Sequence, residues 1–141
     1  MLTVRAALPQ DESSVFCLAL DLAMSYEVER APFSRMYASV LVSPDMHLAV
    51  ACESNEVVGY VLGISHPTFY ANGNVAWVEE IMVGEGHRGK GTGRLLMDHF
   101  EAWAKSRECR LVSLATRRAA DFYQAIGYVE SAAYFRKELK E

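Results

Sequence analysis

The chain has 141 residues, 51% of them hydrophobic and 23% charged, with a formal net charge of −4. That length and balance suit one globular domain, residues 1–141, with a single substantial core rather than a disordered chain. No apolar run approaches the ~20 residues of a membrane helix, and the basic residues form no long run suited to nucleic acid, so a soluble cytoplasmic protein is expected.

Leu2 to Ala7 alternates apolar and polar residues, as an opening strand does. Pro9, Asp11, Glu12 and Ser13 then start a helix, because proline suits the first turn and acidic groups its positive end. It is expected to run to about Tyr26, with Val15, Leu18, Leu22 and Tyr26 on one face. Glu27 to Pro32 reads as a polar break and Phe33 to Val42 as a second helix. Met46 to Glu53 and Val57 to Ser65, joined at Ser54-Asn55, form a β-hairpin. His66 to Asn74 reads as a loop and Val75 to Val83 as the central strand. An amphipathic helix follows to about Ser106, with Leu96, Phe100, Trp103 and Ala104 on one face. Arg110 to Leu114 is a short strand, Arg117 to Ile126 a helix closed by Gly127, and Tyr128-Val129 and Ala133 to Leu139 two last strands. This order describes a mixed sheet with helices on its faces.

The first residues lack the basic stretch and apolar core of a signal peptide. Cys17, Cys52 and Cys109 are odd in number and widely spaced, which suits buried free thiols in a reducing compartment. The four histidines have no metal-ligand spacing, so no metal is expected.

Chemistry concentrates between Trp77 and Met97, where a strand breaks into a loop with five glycines (84, 86, 89, 91 and 93) and continues as a helix. Such a turn exposes unpaired backbone N–H groups beside the positive end of a helix dipole, which suits a phosphate. Three readings compete for it. Gly84 to Gly89 fits GxGxxG, but a dinucleotide fold wants an early βαβ unit, and this loop follows an antiparallel hairpin. Gly84 to Lys90 nearly fits the P-loop, but Gly91 stands where Ser or Thr must hold Mg²⁺.

The third is Arg88-x-x-Gly91-x-Gly93 after a strand ending Ile81-Met82-Val83. A second block, Ala119-x-x-Phe122-Tyr123-x-x-x-Gly127-Tyr128, follows it at the expected separation. With these two blocks the sequence resembles the GNAT superfamily of N-acetyltransferases across nearly its whole length. The resemblance implies an α/β (α+β) fold with a central mixed, mostly antiparallel sheet of six to seven strands and about four helices. It departs at Thr116, where the family often has Asn.

The resemblance implies acetyl-CoA as cosubstrate. The backbone from Arg88 through Gly89, Lys90, Gly91, Thr92 and Gly93 to Arg94 would surround its pyrophosphate, Met82 and Val83 would pair with the pantetheine arm, and Thr116 could supply a hydroxyl. Tyr123 would protonate the leaving thiolate. An acceptor amine must lose a proton, and Glu79 or Glu80 on the central strand is the candidate base. As neighbours on a strand they are expected on opposite faces, so that one serves at most. The acceptor pocket is expected near Tyr26, Glu27, Glu29, Arg30, Phe33, Phe69 and Tyr70. Two functions remain open: acetyl transfer to a primary amine of a small molecule, with protein N-termini or lysines as other acceptors, or a non-catalytic acyl-CoA-binding sensor. The segment around Tyr134 and Phe135 is the candidate contact of a homodimer.

Overall fold

The computed structural model describes residues 1–23 and 26–139. One five-stranded sheet runs in the order β1 (Leu2–Ala6), β2 (Met46–Glu53), β3 (Glu56–Thr68), β4 (Gly73–Val83) and β5 (Val112–Leu114). The first four strands pair antiparallel and β5 joins β4 in parallel. Helices α1 (Glu12–Leu22) and α2 (Arg30–Val42) cover one face, and α3 (Thr92–Ser106) and α4 (Ala120–Ala125) the other. None of the described helices is long and apolar enough to cross a membrane.

Because both faces are covered, β2 is buried without interruption from Leu48 to Cys52 rather than alternating. On the α3 side, Leu96, Met97 and Phe100 are fully buried against Ala49, Ala51, Val61 and Ala76. Small strand residues let the helix approach closely, and at Gly63 a Cβ would lie inside the Phe100 ring. On the opposite face Val15, Leu18 and Tyr37 pack on Leu48, Val50, Tyr60 and Met82. The expected β2–β3 hairpin is present, and Ser54 and Asn55 turn it with φ of 52° and 67°, which matches the twist of the strands.

Several boundaries differ from the sequence expectation. The Asp11 carboxylate is bound by the Arg5 guanidinium at 2.7 and 3.0 Å and by the Leu8 N–H at 2.8 Å, so a 3₁₀ turn at Pro9–Asp11 precedes α1. The helix ends at Leu22; Tyr26 lies beyond it, and the expected helix at positions 24 and 25 falls outside the described residues. α2 starts three residues earlier than expected, because Pro32 sits in its first turn. The expected loop from His66 to Asn74 is mostly strand: β3 and β4 pair out to Thr68 and Gly73, where the Thr68 hydroxyl donates to the Gly73 carbonyl at 2.7 Å.

Among the described residues the sheet has five strands rather than six to seven. Tyr128 does not open a strand, because its N–H donates to the Tyr123 carbonyl (2.9 Å) and its hydroxyl to Glu101 (2.7 Å), closing α4 behind Gly127 at φ 101°. Residues 129–139 carry no regular structure, with Phe135 and Leu139 exposed. β5 pairs with β4 over three residues only. Cys17 is exposed rather than buried.

The α3 side carries a pH-sensitive pair. His47 on β2 and His99 on α3 share a hydrogen bond between their Nε2 atoms at 3.0 Å, and His47 stacks on Trp103. Burial, then His99, pushes the His47 pKa down to about 4, and burial lowers that of His99. A folded-state pKa below the unfolded ~6.5 means that the unfolded chain takes up protons first on acidification. Stability should therefore be full above pH ~6.5 and fall as pH drops towards 4, by about 3 kcal/mol or ~10 °C in Tm. Thermal melts across that range check this, and His47→Phe should flatten the slope.

Candidate active site

Between β4 and α3 the chain makes one 3₁₀ turn at Glu85–His87 and enters the helix through Gly91. Gly89 and Gly91 have φ of 76° and 83°, where an L side chain costs roughly 1–2 kcal/mol. A Cβ at Gly86, Gly89 or Gly91 would meet no protein atom within 4 Å. The loop therefore presents bare backbone to open space at the positive end of a 15-residue helix, an anion cradle. Thr92 is buried, and its hydroxyl donates to the His87 carbonyl at 3.4 Å, fixing the first turn. At Gly93 a Cβ would stand 3.2 Å from the Phe122 ring, so the missing side chain also lets α3 and α4 pack. Lys90 and Arg94 are exposed, whereas Arg88 folds back, its Nε donating to the Val83 carbonyl at 3.0 Å.

β4 pairs with β3 as far as Val83, but with β5 only from Ala76 to Val78. From Glu79 to Val83 its β5-side edge thus carries no ladder among the described residues, and it leads into the glycine loop. Buried or half-buried backbone groups need partners. An open strand edge ending at an anion cradle suits an extended chain that carries amides and then phosphates.

The register of β4 breaks in the same place. Leu62 pairs with Glu80 and Gly63 with Val78, which leaves Glu79 as the extra residue of a β-bulge. Ala76 and Val78 face α3 before the bulge, and Ile81 and Val83 after it. The phase slip turns both Glu79 and Glu80 towards α1 and α2, and both line one cavity there, of about 560 Å³. The expectation of opposite faces is therefore corrected: strand alternation does not survive a bulge. The Tyr60 hydroxyl donates to Glu80 Oε1 at 2.8 Å, and Tyr60 is 1% exposed, so this carboxylate is held in place. Burial and then the Glu80 charge raise the Tyr60 pKa, which keeps the phenol protonated. Glu79 is exposed and has no hydrogen bond or ion pair among the described residues.

A protein-family model described as the acetyltransferase (GNAT) family matches residues 15–128. The chain belongs to this family. Over 141 aligned residues it is 30% identical to the aminoalkylphosphonate N-acetyltransferase of Salmonella typhimurium, covering 96% of this chain and 90% of that protein. Its fold is similar to a solved structure described as a transcriptional regulator from Bacillus halodurans, with TM-score 0.90, 23% identity and coverage of 99% and 100%. It is also similar to the glucosamine-6-phosphate N-acetyltransferase of Arabidopsis thaliana, with TM-score 0.87, 19% identity and 99% coverage of each chain.

Within this GNAT fold the remaining expected site residues divide clearly. Tyr26 and Phe33 line the cavity with the two glutamates; Glu27, Phe69 and Tyr70 do not. Phe69 and Tyr70 sit exposed at the tip of the β3–β4 turn, at the other end of β4. Arg30 turns away to Glu12, at 3.2 Å, and lies over the Phe16 ring. The Thr116 hydroxyl accepts the Ala119 N–H at 3.0 Å and so caps the approach to α4. Tyr123 packs in the α3-side core between Phe122 and Tyr128 and is 7% exposed. Its hydroxyl has no hydrogen bond among the described residues, and His87 Nδ1 alone among them is a sealed polar side-chain atom without a partner. The Tyr123 oxygen therefore reaches accessible space, and burial raises its pKa, so the phenol keeps its proton.

Sequence reasoning missed Tyr60, Leu62, Arg117 and Arg136, all of which line the cavity. The first two had a signal, since both lie on the even-numbered face of β3, as Leu62 does opposite Glu80.

Proposed function

We propose that this chain transfers the acetyl group of acetyl-CoA to a primary amine of a small molecule. The observation that carries this reading is the bulge that turns Glu79 and Glu80 into one cavity, on the strand whose open edge runs into the glycine cradle. The cradle fits a CoA pyrophosphate because its backbone faces open space where a Cβ would otherwise stand. Backbone from Arg88 to Arg94 would hold the pyrophosphate, with charge from Lys90 and Arg94, and Met82 and Val83 would pair with the pantetheine. Bound acetyl-CoA supplies an acetyl carbonyl activated as a thioester.

A primary alkylamine has a pKa near ~10.4, so it arrives as an ammonium and cannot attack until a proton leaves. Glu80, fixed by Tyr60, would accept that proton directly or through water, and Glu79 beside it would favour the cation in the cavity. With acetyl-CoA bound, Tyr123, whose burial keeps the phenol protonated, would be the proton donor to the leaving thiolate. Tyr123→Phe should lower kcat by roughly tenfold or more with little change in acetyl-CoA binding; steady-state kinetics beside a cofactor titration check this.

The Salmonella relative acts, by its name, on aminoalkylphosphonates, which supports a small amine as acceptor. The test is thiol release from acetyl-CoA by the purified protein across aminoalkylphosphonates, amino acids, aminoglycosides, polyamines and lysine peptides. Amine-dependent release with the acetylated amine in the product mixture is expected. Acetyl-CoA binding without release for any acceptor would favour a non-catalytic sensor instead.

A further inference from the structure

The cavity that holds Glu79 and Glu80 also holds Arg117, from the β5–α4 connection, and Arg136, from the C-terminal segment. The two segments arrive independently. Thr116 caps the approach to α4 and so sets the start of the turn carrying Arg117. The C-terminal segment is held against the sheet by Tyr134, whose ring stacks on Trp77 of β4 at 6.3 Å, two residues before Arg136. Arg136 also pairs with Glu138 at 3.4 Å, whereas Arg117 has no ion pair among the described residues. Away from these charges the wall is hydrocarbon and aromatic, made by Val15 and Leu22 of α1, Phe33 and Met36 of α2, and Leu48 and Leu62 of the sheet.

Two carboxylates and two guanidiniums leave this lining with no net charge but with both signs present. A polycation would gain the glutamates and meet the like charge of Arg117, which disfavours it. A simple alkylamine would leave the Arg117 guanidinium without a ligand partner, whereas a carboxylate or phosphonate accepts from it in the fork geometry arginine offers. The hydrocarbon wall favours a ligand that brings apolar surface to cover it. At about 560 Å³ the cavity is within the range that encloses small ligands.

Resting on the acetyl-transfer reading of this site, we propose that the acceptor is a small zwitterion with an apolar side group. Its ammonium faces Glu79 and Glu80, its carboxylate or phosphonate faces Arg117 and Arg136, and its side group lies between α1, α2 and the sheet. The C-terminal segment is then a wall of the acceptor site, and the two arginines set its specificity.

The test compares leucine, its aminophosphonate counterpart, isopentylamine (the same amine without the acid), glycine and a polyamine, by kcat/KM and by calorimetric binding. Wild type should prefer leucine or its phosphonate over isopentylamine, glycine and the polyamine by at least ~30-fold, and the better of the two identifies the anion. In Arg117→Gln, and again in Arg136→Gln, the preference for the anionic acceptor over isopentylamine should collapse to within a few-fold, chiefly through KM. Arg117 is exposed, so its replacement leaves the core intact. Efficient use of isopentylamine or the polyamine by wild type would overturn the zwitterion proposal while leaving acetyl transfer standing. An unchanged preference in both variants would overturn the arginine assignment. Saturable, arginine-dependent binding of the zwitterions with no turnover would support the recognition proposal and sink acetyl transfer.

Discussion

Replacing Gly91 with valine is expected to weaken acetyl-CoA binding by at least ~100-fold. Two effects act together. At φ 83° a β-branched residue is a backbone outlier, so the chain must shift and the amides at the start of α3 lose their aim. The added side chain would also project into the open space that the loop faces, since no protein atom lies within 4 Å of its Cβ. Gly91→Asn separates these effects, because Asn tolerates the left-handed region but still adds a side chain. If occlusion dominates, both variants lose binding; if strain dominates, Asn retains most of it. Calorimetric titration measures the affinity, and a thermal melt reports whether α3 is still seated. Gly93→Ala should instead lower Tm, because its Cβ presses on Phe122.

Glu80→Gln is expected to lower kcat/KM by ~10²–10⁴-fold at pH 7, the usual range for loss of a positioned general base. The loss should shrink as pH rises towards the acceptor's own pKa, because an amine that is already neutral needs no base. Acetyl-CoA affinity should stay within a few-fold of wild type, since the carboxylate lies in the cavity on the α1/α2 side rather than in the glycine cradle. Tyr60→Phe removes the 2.8 Å bond that holds Glu80 and should give a smaller loss of the same pH form. Glu79→Gln should mainly raise the acceptor KM. A flat ratio of wild type to Glu80→Gln across pH 6–10 would remove Glu80 from the proton path.

The sequence was legible where the physics is local. The left-handed turn at Gly89 and Gly91 was legible because a strand, a glycine-rich turn and a helix start are consecutive in the chain. The β2–β3 hairpin was legible for the same reason, with Ser54-Asn55 between two apolar runs. The bulge at Glu79 was not, because it is a property of the pair: Leu62 meets Glu80 while Gly63 meets Val78, and β4 alone looks regular. The hairpin tip at Phe69 and Tyr70 was not legible, because a stretch with Pro, Gly and Asn reads as loop, while the Thr68 hydroxyl closes it as a tight turn. Arg117 and Arg136 reach the cavity through the Thr116 turn and the Trp77–Tyr134 stack, contacts that no local pattern announces.

All of these assignments hang on the glycine loop and the open edge of β4 holding CoA. The measurement that tests this most directly is a calorimetric titration of the purified protein with acetyl-CoA, run beside ATP and NADH. Saturable binding of acetyl-CoA, absent for the two other nucleotides and lost in Gly91→Val, is the predicted result. Binding of neither acetyl-CoA nor CoA, or equal binding of all three nucleotides, would contradict it.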